Sequence, residues 1–498
     1  MLKGFTRKFK PLEILSEEEL ETIHRGALNI LETTGVRVEH DRALKLFADN
    51  DCKVDFEGKR VRIPPWLVEE SLRKCPSSYR VKARDPKCDL MIGGNTVYFM
   101  QGMGMKYLDL DTWEPRAATV KEHRDAMIIA DALDNLHMAD GIFFYMDRVG
   151  IPAPMVMLEN LASGIRNSTK VEHFGYELGC EKFAIKMANE LGIGLDVELD
   201  SAAPLTLFKD PVEAAFRYVE AGINIQPTSG AGMGADGPAT FAAAVTLQDA
   251  ELMAFITVAQ LIRPGIGLSV QHGLGVTNMR TGNSRFGAVG ESIAGAMTNQ
   301  LFRRYRIPTV TTAGFTSDSK KIDFQCAYEK ALGALISVIS GGNLHVFHGG
   351  VHAELTWSPV QQVLDDDIAG WIGHLLEGVE VNDETLAIDL INEIGPIPGY
   401  YLNKEHTRKW WRKEQFIPRV ADAEPYPLWM KEGKKDALAL AKERVEEILA
   451  THKPKPLTAR EEQIVEDVLK QAREYYKKEG LISDEEWTVY MKTLESAD

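Results

Sequence analysis

Eight short apolar, β-rich runs, at 96–101, 137–145, 170–176, 203–208, 223–228, 266–272, 309–312 and 344–348, are each separated from the next by helical patterning. Strands that alternate with helices call for parallel βαβ units, and eight such units close on themselves. The expected fold class is therefore α/β, a (β/α)8 barrel of TIM type over 96–398. An N-terminal α+β extension over 1–95 precedes it, and a C-terminal helical extension over 399–498 follows. A chain of 498 residues suits one barrel with additions. Ser16 with Glu19 predicts a capping box opening a helix to about Thr33. Pro454 and Pro456 divide two charged helical stretches that read as a packing or dimerisation appendage, so a homo-oligomer is expected.

Charge and patterning exclude other classes. A formal charge of −16 opposes nucleic-acid binding, which needs a local excess of Lys and Arg. No run reads as a bilayer span. The opening MLKGFTRKFKPLEIL is basic but has no apolar segment or small-residue cleavage site, so cytoplasm is the expected location. Cys52, Cys75, Cys88, Cys180 and Cys326 include no C-x-x-C pair and read as buried thiols in a reducing compartment.

Several constellations could carry chemistry. Gly230, Gly232 and Gly234 lie in GAGMGADG after a strand and before a helix, but no acidic residue ends a second strand about 20 positions on. A close-approach loop at a barrel mouth, open to a large flat cofactor, is expected there instead of a nicotinamide or flavin site. His345, His348 and His352 invite a metal, yet period-two alternation puts His345 and His348 on opposite strand faces, so no metal is expected. His348, at the strand's end, should face the mouth. Phe315, Phe347 and Trp357, with Phe143, Phe144 and Tyr145, follow strands and could face a quaternary ammonium. Arg280 sits in a Gly/Thr/Asn loop suited to a carboxylate. Asp365, Asp366 and Asp367 diverge around a helix and read as capping or helix-face residues.

The run Ala313-Gly314-Phe315-Thr316-Ser317-Asp318-Ser319-Lys320 resembles the trimethylamine methyltransferase family, whose founding members carry pyrrolysine between an Ala-Gly and a Ser-Asp-Ala-Lys. HRGALNILETTG at 24–35, Met279 to Asn283 ahead of Glu291, and Gly341-Gly342-Asn343 through Glu354 to Asp365-Asp366-Asp367 extend the likeness along most of the chain. Phe315 and Thr316 fill the slot, so the resemblance implies a pyrrolysine-free member. It also implies methyl transfer from an amine to cob(I)alamin carried by a separate corrinoid protein. A quaternary amine already has a neutral leaving group, and glycine betaine is the leading substrate. Proline betaine, carnitine and γ-butyrobetaine are its rivals. Phe315, Thr316, Phe347, Trp357 and Glu354 are the candidate substrate-binding residues, with Arg280 or His348 on the carboxylate. A non-catalytic betaine-binding scaffold and a metal-dependent barrel lyase or hydrolase remain as alternatives.

Overall fold

A computed structural model of the chain describes residues 3–140 and 148–495. Its centre is a closed barrel of eight parallel strands: β1 (Thr96–Gln101), β2 (Met138–Asp140), β3 (Val171–Phe174), β4 (Leu195–Asp200), β5 (Ile225–Ser229), β6 (Val270–His272), β7 (Thr309–Thr311) and β8 (Leu344–His348). Neighbours pair in sequence order, and β8 returns to β1 through Leu344 opposite Tyr98. One helix follows each strand: α1 (Val120–Ala132), α2 (Ala153–Asn167), α3 (Glu181–Leu191), α4 (Lys209–Glu220), α5 (Phe241–Ile262), α6 (Val289–Tyr305), α7 (Phe324–Ile339) and α8 (Pro359–Glu377). Parallel strands buried on both faces give the near-continuous apolar runs visible in the sequence.

One expected strand is wrong. The run at 203–208 is not part of the barrel; Thr206–Leu207 pairs with Val36–Val38 in the N-terminal sheet. The fourth barrel strand is β4, whose sequence LDVELD sends Leu195, Val197 and Leu199 into the outer core. Its inward positions are acidic, so it lacks the apolar run by which the other strands are recognised. The second expected strand, 137–145, is described as Met138–Asp140, and its residues 141–145 lie outside the described residues.

The N-terminal helix Glu17–Thr33 begins with the expected box: Ser16 Oγ accepts from the Glu19 N–H at 3.3 Å and the Glu19 carboxylate accepts from the Ser16 N–H at 2.8 Å. This helix and Pro65–Lys74 pack on α5. Although α5 is long and apolar enough to cross a membrane by length and composition alone, 78% of that stretch is buried within the protein. The hairpin of Ser78–Val81 and Leu90–Gly93 closes the barrel floor, with Tyr79, Val81, Leu90 and Ile92 packed on Tyr98, Met138, Val171, Val310, Leu344 and Val346. At the C-terminus, Ala459–Lys478 lies against α2 and α3, burying Val465, Val468, Leu469, Ala472 and Tyr476.

Candidate active site

Inside the barrel the residues divide by side. Strands β7, β8 and β1 contribute Val310, Leu344, Val346, Tyr98 and Met100, an apolar wall. The opposite wall is polar: Asp140 on β2, His173 on β3, Asp196, Glu198 and Asp200 on β4, Gln226 and Thr228 on β5, and Gln271 on β6, nearly all buried. The wall is tied together by hydrogen bonds. Gln226 Nε2 donates to Gln271 Oε1 at 2.7 Å, and Gln271 Nε2 donates to Glu198 Oε1. The Tyr79 hydroxyl, rising from the floor hairpin, donates to Asp196 Oδ1 at 3.1 Å.

Above this wall opens a cavity of about 560 Å³ at the C-terminal mouth, where barrel enzymes place their chemistry. Glu198, Asp200, Asp236 and Glu291 are its charged lining residues, and no Lys or Arg joins them among the described residues. Phe315 and Phe286 line it as an edge-to-face pair with ring centroids 5.5 Å apart. Thr228, Gln271 and Thr312 add neutral polar groups, and Gly230, Gly232, Gly273 and Gly275 leave bare backbone at the rim.

Burying this many acids together shifts their protonation. Burial, and then repulsion from Asp200, pushes the Glu198 carboxyl up to about 8. Burial likewise raises Asp200 to about 6. His173 lies 3.4 Å from Asp140 and 3.9 Å from Glu198. Burial opposes a charged ring, but these carboxylates outweigh it and raise the imidazole to about 9. A group whose folded value is raised stabilises most below its unfolded value, here 6.5, and loses that contribution as pH rises through about 9. The raised carboxyls act in the same sense. The difference in thermal midpoint between the wild type and His173→Gln should therefore be largest below pH 6.5 and shrink towards pH 9. A difference that stays constant across that window would contradict a cationic His173.

The structure brings only some of the expected site residues together. Phe315 lines the cavity, and its carbonyl accepts from the buried Lys330 ammonium at 2.7 Å. Thr316 turns away: its hydroxyl donates to the Ala353 carbonyl at 2.5 Å, pinning the loop after β7 to the loop after β8. His348 does not face the mouth. A register shift between Val346 and His348 places it in the layer between β8 and the helices, against Phe99 and 3.8 Å from Asp366. The irregularity defeats the alternation rule, so His345 and His348 both contact Phe99. Phe347 is in the same outer layer, packed with Phe99, Ala334, Val338 and Ala369. Trp357 is fully buried with Ala118, Ala126 and Met127, and its indole N–H donates to the His348 carbonyl at 2.9 Å. Neither aromatic reaches the cavity.

Arg280 stands exposed at the tip of the hairpin of Gly275–Thr277 and Ser284–Arg285, with its backbone N–H on Asn278 Oδ1 at 3.0 Å. Its guanidinium is not on the cavity lining. Glu354 belongs to the single turn Ala353–Leu355, and its side chain, like Phe143, Phe144 and Tyr145, lies outside the described residues. Of the three glycines, Gly230 and Gly232 line the cavity and Gly234 does not. A Cβ on Gly230 would meet the Gly273 carbonyl oxygen at 2.4 Å, so this glycine lets two mouth loops touch. Gly234, at φ +88°, packs beneath Met279. The acids Asp365, Asp366 and Asp367 diverge as expected, to the Gly349 N–H, to Asn135 and to the Arg419 and Val420 N–H groups. Among the described residues no group of three or more His, Cys, Asp or Glu is arranged to hold a metal ion.

Sequence reasoning missed Glu198, Asp200, Gln271, Thr312 and Phe286. The signal for the first two was present: LDVELD is a clean period-two strand whose acids all share one face.

A closed parallel barrel with a polar, acid-lined cavity at its C-terminal mouth defines a barrel enzyme whose site is suited to a cation. A family model described as trimethylamine methyltransferase (MTTB) matches residues 1–475, and the chain belongs to that family. It is a methyltransferase of the family. It is 30% identical over 456 residues to a glycine betaine methyltransferase of Desulfitobacterium hafniense (strain Y51), covering 89% of this chain and 94% of that one. It is 27% identical to the trimethylamine methyltransferase MttB of Methanosarcina thermophila, covering 90% of this chain and 95% of the other. Among solved structures, the monomethylamine methyltransferase MtmB of Methanosarcina barkeri is similar with a TM-score of 0.46 at 10% identity, covering 92% of this chain and 94% of that chain.

Proposed function

We propose that this chain moves a methyl group from a quaternary ammonium compound to the cobalt of a corrinoid held by a separate protein, releasing a tertiary amine. The observation that carries this reading is the mouth cavity, lined by Glu198, Asp200, Asp236 and Glu291 beside the rings of Phe286 and Phe315. Carboxylates attract a permanent cation by charge, and aromatic faces attract it through the ring quadrupole. Phe315 also stands in the stretch where the family's founding members carry pyrrolysine. In the transfer the methyl C–N bond breaks, the electron pair stays on nitrogen, and a neutral tertiary amine leaves without needing a proton.

The corrinoid, when bound, supplies the electron pair that takes the methyl group. The bare backbone of Gly232, Gly273 and Gly275 at the rim suits the approach of a flat macrocycle. The chain's own residues then bind and orient. Glu198 and Asp200 hold the cation, while Phe286 and Phe315 exclude water beside it. Positive charge on nitrogen vanishes as the bond breaks, so this grip must stay moderate to permit turnover.

Glycine betaine is the reference donor, since a similar Desulfitobacterium protein is named for it. The test incubates the protein with cob(I)alamin under strict reduction and follows the amines by mass spectrometry. Loss of one methyl from at least one of tetramethylammonium, choline or glycine betaine is expected, with trimethylamine unchanged. Consumption of trimethylamine but of no quaternary amine would overturn the reading.

A further inference from the structure

We infer that, among quaternary ammonium compounds, this chain selects those that carry no carboxylate, of the tetramethylammonium or choline kind. The inference rests on the cavity being the methyl-donor site and deepens that reading.

In a betaine the carboxylate is tethered to the ammonium by a few carbons, so both ends must enter the same cavity of about 560 Å³. That cavity has a place for the cation. Glu198 is only 4% exposed, lines the cavity, and has an Oε2 with no hydrogen-bond partner among the described residues. Asp200, Asp236 and Glu291 surround it with further negative charge. For an anion, the described lining offers no basic side chain. Of the buried cations beside the lining residues, His173 is already flanked by Asp140 at 3.4 Å and Glu198 at 3.9 Å, and Lys330, behind Phe315, is taken up by Asp365 and the carbonyls of Phe315, Phe347 and Gly350.

The described cations at the rim are engaged elsewhere: Lys320 Nζ donates to the Asp318 carbonyl, and Lys321 Nζ lies 5.7 Å over the Trp113 ring. Arg280 points from an exposed hairpin tip, and Arg285 is paired with Asp318 at 3.0 Å. The segment 141–147 reads GIFFYMD and contains no Lys, Arg or His in its sequence. A substrate carboxylate would thus be desolvated beside like charges, a repulsive element that discriminates against betaines. A hydroxyl is different: Thr228, Gln271 and Thr312 offer neutral polar neighbours for it.

Calorimetry on the full chain at pH 9, above the value of about 8 to which burial pushes the Glu198 carboxyl, titrating tetramethylammonium, choline and glycine betaine, tests this without turnover. The first two should bind about tenfold or more tighter than glycine betaine, the scale set by one close charge interaction. In Glu198→Gln the gap should narrow to about threefold or less. Equal or tighter binding of glycine betaine to the wild type overturns the inference. If glycine betaine binds tightly and is also demethylated, only the selectivity falls and the methyl-transfer reading stands. If none of the three cations binds and none is demethylated, both fall.

Discussion

Replacing Lys330 with methionine should destabilise the protein by about 3 to 5 kcal/mol, the effect of breaking a buried ion pair from one side. Lys330 and Asp365 are both fully buried, with Nζ 3.3 Å from Asp365 Oδ2. The ammonium also donates to the carbonyls of Phe315 at 2.7 Å, Phe347 at 2.9 Å and Gly350 at 3.2 Å. One side chain on α7 thereby holds the loop after β7, the end of β8 and the turn beyond it. Asp365 is held in turn by the Gly349 N–H at 2.7 Å and Gln361 Nε2 at 2.7 Å. Methionine keeps the bulk of the side chain but leaves a buried carboxylate without its cation and three carbonyls without their Lys330 donor. Urea denaturation of the two proteins measures the difference; a loss below about 1 kcal/mol would mean the pair contributes no more than a surface ion pair.

The second large effect falls on substrate binding. Glu198→Gln keeps the shape of the side chain and, above about pH 8 where the carboxyl is ionised, removes the charge that faces the cavity. Loss of a charged contact of about 1.5 to 3 kcal/mol corresponds to a KM for the quaternary donor about 10- to 100-fold higher. The turnover number should hold or rise, because the substrate's positive charge disappears in the transition state and the carboxylate stabilises the ground state more than it stabilises the reacting one. Steady-state kinetics with tetramethylammonium separates the two constants. A turnover number that collapses while KM is unchanged would make Glu198 part of the chemistry rather than of cation binding.

The barrel was legible because the strands other than β4 lie in largely apolar stretches of sequence, the pattern that parallel strands between core and helices require, even where inward positions such as His173, Gln226 and Gln271 are polar. The remaining one was hidden by its acidic inward face. In β4 the inward positions are Asp196, Glu198 and Asp200, so the apolar signal survives only at Leu195, Val197 and Leu199, and the neighbouring run at 203–208 looks the better strand. Two of these acids, Glu198 and Asp200, line the cavity, which means that the misread strand and the missed residues are one event: local patterning fails where the barrel departs from an ordinary core.

The remaining differences have separate causes. His348 was placed at the mouth because it ends its strand, and a register shift in β8 that leaves no mark in the sequence turned it outward. Phe347 and Trp357 follow the ordinary behaviour of aromatic residues near strand ends, which is to pack in the core. Arg280 was correctly placed on a mouth loop, but loop composition does not encode which way a long side chain points. Phe315 was singled out through the family motif, and it lies on the cavity wall.

The most direct measurement follows the absorbance of cob(I)alamin mixed with the purified protein and a single amine under strict reduction. The account predicts conversion to methylcobalamin with tetramethylammonium and choline, slower conversion with glycine betaine, and none with trimethylamine. It also predicts that Glu198→Gln slows the reaction at low donor concentration and recovers the wild-type rate at saturation. Methylcobalamin formed from trimethylamine and from no quaternary amine would contradict it.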